Sequence, residues 1–138
     1  MPPADAMSME LIYQSMYEAL SLSDSSLQIW MTYTFALVAA AHFAGNRLSG
    51  TTYTVVCSLY GLYAAVLIVR YFSAAYQILY YQDLLIDSGF APWPVPKLVG
   101  VLIGSGTFLL MVGGTVLALW FVRRVRQEHL GSSAAGVA

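Results

Sequence analysis

The sequence predicts an all-α membrane protein: three transmembrane helices, with an N-terminal amphipathic helix and a long second helix extending beyond the bilayer. Three observations predict it. Of 138 residues, 59% are hydrophobic and 9% charged, where a soluble domain devotes about a quarter to charge; a soluble core of this size cannot hide so much apolar surface. Three stretches approach the roughly 20 apolar residues that cross about 30 Å of hydrocarbon. The few Lys and Arg residues are also unevenly placed along the chain, as they are between the loops of a multi-pass protein.

The elements follow in order within a single three-span domain, residues 1–138. Residues 8–22 read as an amphipathic outer helix, with Glu10, Gln14 and Glu18 spaced by four opposite Met9, Ile12, Met16 and Leu20. Polar "SDSS" at 23–26 then leads into span 1, residues 27–45, and Ser25 with Gln28 three residues later fits a capping box. After the turn "GNRLSG", span 2 covers 51–70. Nothing between Arg70 and Ser88 breaks a helix, so an extension over 71–87 is expected, and 51–87 as one helix measures about 55 Å. The Pro-rich loop 88–97 favours an extended course, with Pro96 suited to a first helical turn. Span 3 covers 98–122 and is stopped by "RRVRQEH"; the tail 123–138 ends in "GSSAAGVA", which reads as disordered.

Direction follows from the basic residues. Arg47, Arg123, Arg124 and Arg126 share one side of a three-span chain, whereas Arg70, Lys97 and six acids share the other. The basic excess marks the cytoplasmic side, so the expectation is N-terminus out and C-terminus in, multi-pass, in a bacterial inner (cytoplasmic) membrane. The N-terminus has neither a basic n-region nor an apolar h-region, so no cleavable signal peptide is expected. Arg70 is assigned to the outer interface, since an arginine at a helix centre costs about 2.5–3.5 kcal/mol and its long side chain can snorkel from a helix end. Trp30, Trp93 and Trp120 fall near span ends, where an aromatic belt lies, with Arg123, Arg124 and Arg126 at the inner boundary.

Two surfaces suggest association. The amphipathic segments 8–22 and 71–87 carry acids rather than the lysines of lipid-surface helices. Their apolar faces, with Ile12, Met16, Leu20, Phe72, Ala75 and Leu79, are therefore expected to pack on each other, on a second copy or on a partner. Within the spans, Ala36, Ala40 and Ala44, then Cys57, Gly61 and Ala65, recur every four residues, and Gly100 and Gly104 continue through Gly114 and Ala118. Small-residue faces of this kind let helices approach closely in lipid, within one chain or between chains.

Chemistry is sparse. The single cysteine excludes an internal disulfide, and no Cys/His spacing fits zinc. His42 lacks a second histidine for a haem pair, and every carboxylate lies outside the expected span cores, against a coupled transporter. No nucleotide loop, catalytic set or nucleic-acid motif is present. The expectation is a non-enzymatic membrane assembly or accessory protein with no cofactor. Its partners are the lipid bilayer and a homo-oligomer or larger membrane complex, and not nucleic acid. The alternative is a small pore-forming homo-oligomer walled by Ser105, Thr107 and Thr115. Three spans, an outward N-terminus and a basic inward tail resemble class I phage holins in topology alone, a likeness that implies the pore. The span count is also similar to that of three-helix anchor subunits of respiratory complexes, which would imply His42 as a haem ligand.

Overall fold

The chain forms an all-α three-helix bundle in the computed structural model, which describes residues 9–44, 49–87, 89 and 96–135. The helices are α1 (Met9–Ala44), α2 (Gly50–Asp87) and α3 (Lys97–Ala135). Ser49 caps α2: its Oγ accepts from Thr52 N–H at 3.2 Å and its carbonyl from Tyr53 N–H at 3.0 Å. This satisfies donors that a helix start leaves unpaired. Past Asp87 the backbone turns at Gly89, whose φ of +73° favours glycine, and its N–H donates to the Ile86 carbonyl. The Pro96 carbonyl accepts the first two bonds of α3, from Val99 and Gly100.

Each helix buries a narrow stripe, not a broad face. On α2 it is Tyr60, Ala64, Leu67, Tyr71, Ala74, Gln82 and Leu85. On α1 it is Ile12, Met16, Ala19, Ser26, Trp30, Leu37 and Ala41. Steps of three and four residues are the repeat of helices that stay in contact over many turns. The α1 stripe also explains the main departure from the sequence reading. Residues 8–22 and 27–45 are not separate elements joined through a capped polar entry; α1 runs unbroken through "SDSS". Buried Ser26 sits on the stripe and donates to the Leu22 carbonyl at 2.8 Å, so its hydroxyl is paired inside the helix instead of capping a new one. At the other end α3 continues through Ala135, where the start of a disordered tail is expected from sequence.

Among the described residues two helices, α2 and α3, are long and apolar enough to cross a membrane by length and composition. The first expected span, residues 27–45, falls on α1 and reaches past its last described side chain, Phe43. Among the described residues the core forms two clusters. The larger gathers Trp30, Leu37, Ala41, Tyr60, Ala64, Leu67, Tyr71, Met111, Ala118 and Val122 from all three helices. The smaller joins Ile12 and Met16 of α1 to Leu85 of α2, with Tyr13, Ile78, Tyr81 and Leu84 around them.

Candidate functional site

A ladder of cross-helix contacts fixes the register of the three helices. At one end the Arg126 guanidinium lies 4.2 Å from the Tyr53 ring centroid, a cation–π pair. Next come Trp30 Nε1, donating to Thr115 Oγ1 at 3.0 Å, and the Thr34–Tyr60 hydroxyl pair at 2.8 Å. Higher up, the Phe72 and Phe108 rings lie 5.9 Å apart, and Tyr71 O–H donates to the Gly104 carbonyl at 3.3 Å. At the far end Lys97 Nζ pairs with both Asp83 oxygens at 2.6 and 2.9 Å. The end with Arg126 is termed the lower end here and that with Lys97 the upper.

Several expected site residues take other places in this frame. Trp30, assigned from sequence to the lipid interface, is 5% exposed and lies in the larger cluster. The reason is Gly114: a Cβ there would meet the Trp30 ring at 2.7 Å, so the glycine is the socket for the indole. Thr115, expected in a pore wall, faces Trp30 instead and donates its own proton to the Met111 carbonyl. Trp120 is exposed, with the Arg124 guanidinium 5.4 Å above its ring, and Arg124 also pairs with Glu128. Arg123 is exposed near that end. Trp93 and the loop around it, and the side chain of Ala44, lie outside the described residues.

The small-residue faces divide. Ala118 is buried and Gly114 is filled, but Gly61, Gly100 and Gly104 would each meet nothing within 4 Å if given a Cβ. Ala36, Ala40 and Ala65 are exposed, and Cys57 is half-buried. Packing within the chain uses their neighbours Leu37, Ala41 and Ala64. The outer contact set divides too. Ile12 and Met16 are buried against α2, whereas Leu20, Phe72, Ala75 and Leu79 line a cleft of about 700 Å³ between the upper halves of the three helices. Gly100 and Gly104 form its α3 wall, and Ser105 and Thr107 also line it.

Arg70 lies away from both helix ends. Thirteen residues below Asp83 on α2 corresponds to Leu110 on α3, thirteen below Lys97; counting seventeen residues up from the Tyr53–Arg126 pair gives Leu109. Arg70 is therefore level with the middle of the apolar stretch 98–122, about 20 Å below Lys97. It is exposed, and among the described residues it makes no ion pair. It borders a notch of about 480 Å³ lined on α1 by Gln14, Glu18, Ser21 and Ser25 together with Tyr17 and Leu22. That polar face climbs about 17 Å from Ser25 to Gln14, toward the upper end. Arg70 and Lys97, both read from sequence as outer-boundary residues, thus stand at different heights.

Among the described residues no three His, Cys, Asp or Glu side chains come together as a metal site. No known protein family, curated protein or solved structure matches the chain.

Proposed function

We propose that this chain is an integral membrane assembly or accessory protein, non-enzymatic, with its N-terminus outside and its C-terminus inside a bacterial inner membrane. The observation that supports it is how much large apolar side chain lies on the outside. The helix contacts mix Ala, Tyr and Trp30 with Leu37, Leu67, Met111 and Val122, while Phe35, Leu59, Leu62, Val69, Leu109 and Leu117 are 61–69% exposed, with Phe43 at 81%. Water-facing patches of that extent are rare on monomers, and lipid removes the penalty. Small and hydroxyl-bearing residues between helices are how spans associate where no hydrophobic drive exists.

In this proposal the bilayer reaches to Lys97 along α3, where the apolar stretch begins. Above the Arg70 level, Leu20, Phe72, Leu98, Val99, Val101, Leu102 and Ile103 are 39–70% exposed. A fully covered large apolar side chain gains roughly 1.5–3 kcal/mol, so covering what remains of these seven contributes on the order of 7 kcal/mol. Against this stand Arg70 and Asp24, each costing about 2.5–3.5 kcal/mol at a bilayer centre on insertion scales, and Glu18, which lies between the Arg70 and Lys97 levels and adds a smaller cost nearer the interface, so the two sides are comparable. The Arg70 cost is reduced where its long side chain snorkels along the notch toward the upper side. In this reading the upper halves of α1 and α2 lie in the outer leaflet, and Arg70 lies within the layer. Association through the exposed Ala36–Ala40 and Gly61–Ala65 faces then builds a homo-oligomer or a larger complex. The pore alternative loses Thr115 from its wall.

Cysteine accessibility in a Cys57→Ser background tests the placement. With an impermeant maleimide on cells whose outer layer is permeabilised, Glu10→Cys reacts, Tyr76→Cys is protected, and Glu128→Cys reacts only after lysis. A Tyr76 variant as reactive as Glu10 moves the boundary down to Arg70. Reaction at Glu128 in intact cells reverses the orientation, and release of the protein by alkaline carbonate ends the membrane reading.

A further inference from the structure

We infer that the upper cleft holds one acyl chain of a hydroxyl-bearing glycerolipid, its head hydrogen-bonded to Gln82. The inference rests on the membrane reading above. Gln82 is 8% exposed and lines the cleft, and among the described residues its side-chain Oε1 is a buried acceptor without a donor. An unpaired amide costs about 1–3 kcal/mol, and a bundle rarely keeps one that nothing completes. The donor at this level, Lys97 Nζ, is turned to both oxygens of Asp83, and no described side chain donates to Gln82.

The geometry selects the ligand. Gln82 stands one turn from the foot of α3, at the level where the apolar stretch begins, and the cleft descends from it past Leu79 and Gly100 to Phe72 and Gly104. From Gln82 to Phe72 is ten residues of helix, about 15 Å, which equals one leaflet of a hydrocarbon layer about 30 Å thick. About 700 Å³ lies within the ~300–1,000 Å³ range of small-molecule sites and suits one chain of a lipid. Asp24 is exposed at the lower end beside Ser23 and ends the apolar track there. The amide has a donor and an acceptor, which a half-turn of its terminal group exchanges. An ester carbonyl alone satisfies only the donor; a glycerol hydroxyl beside the ester satisfies both.

The probe is a monoacylglycerol with a diazirine in its acyl chain, photoactivated with the full-length protein in phosphatidylcholine vesicles. Adducts are expected on residues 72–82 and 100–109. Gly104→Leu, at a position where a Cβ meets nothing within 4 Å, puts a side chain into the cleft and lowers these adducts at least tenfold. Gln82→Leu lowers them at least threefold while the labelled positions stay the same. Gly113→Leu, where a Cβ likewise meets nothing within 4 Å but which lies outside the cleft, leaves them unchanged and shows that an added side chain is tolerated. Adducts spread over 59–69 and 109–117 in proportion to exposure overturn the site, as does unchanged labelling in Gly104→Leu. So does a dimer whose subunits cross-link through the cleft, which makes a second copy its occupant. Vesicle flotation separates the two claims: a protein that floats but labels uniformly loses only the site. One that stays soluble yet labels in the cleft keeps the site and loses the membrane reading.

Discussion

The lower and upper halves of the bundle use the same α3 residue type to opposite ends. In the lower half Gly114 receives the Trp30 ring, whose Nε1 is bonded to Thr115, and the three helices close on one another. In the upper half Gly100 and Gly104 face a cleft, because the α1 residues there are Leu20, Ser23 and Asp24 and none reaches across. A glycine on a helix is thus only half of a contact. Whether it brings helices together or leaves space is decided by the size of the side chain opposite.

The largest test of this contrast is Trp30→Ala. Truncating a buried aromatic costs about 3–5 kcal/mol, and Thr115 loses a donor, so reversible unfolding in detergent is expected to fall by about that amount. Gly114→Leu should cost about 1–3 kcal/mol by overpacking against an indole at 2.7 Å, whereas Gly104→Leu should be neutral or stabilise by up to about 1 kcal/mol through helix propensity. Equal losses at the two glycines would erase the distinction between the halves. Gln82→Leu should stabilise the lipid-free protein by about 1 kcal/mol, the orphaned acceptor being removed. Smallest is Lys97→Ala: both side chains of its pair are about half exposed, so under 1 kcal/mol is expected, measured by the same titration.

The all-α architecture was legible because apolar runs of this length leave few alternatives. Where elements joined was less so. "SDSS" reads as a helix entry because Ser and Asp are good caps, yet the stripe from Ile12 through Ser26 to Ala41 passes straight through it. That three-and-four stepping was the available signal, masked by serine standing where a core residue is sought. Spacing by four found Ala36 and Ala40, but it cannot tell which side of a helix the chain itself uses; Leu37 and Ala41 carry the contact. Trp30 was misplaced because a tryptophan near a span end reads as a belt residue until its socket 84 positions later is known. The Gln82 site had no sequence signal at all. A lone glutamine on an amphipathic face is ordinary, and only burial without a partner sets it apart.

The two tryptophans of the described helices amount to an optical gauge built into the chain. Trp30 is sealed against α3, and Trp120 is 55% exposed about one turn from Arg124. Brominated acyl chains should therefore dim one indole and spare the other. Any event that prises α1 from α3 would surface as a second quenchable population, so separation of the helices can be followed by emission alone, without an attached dye.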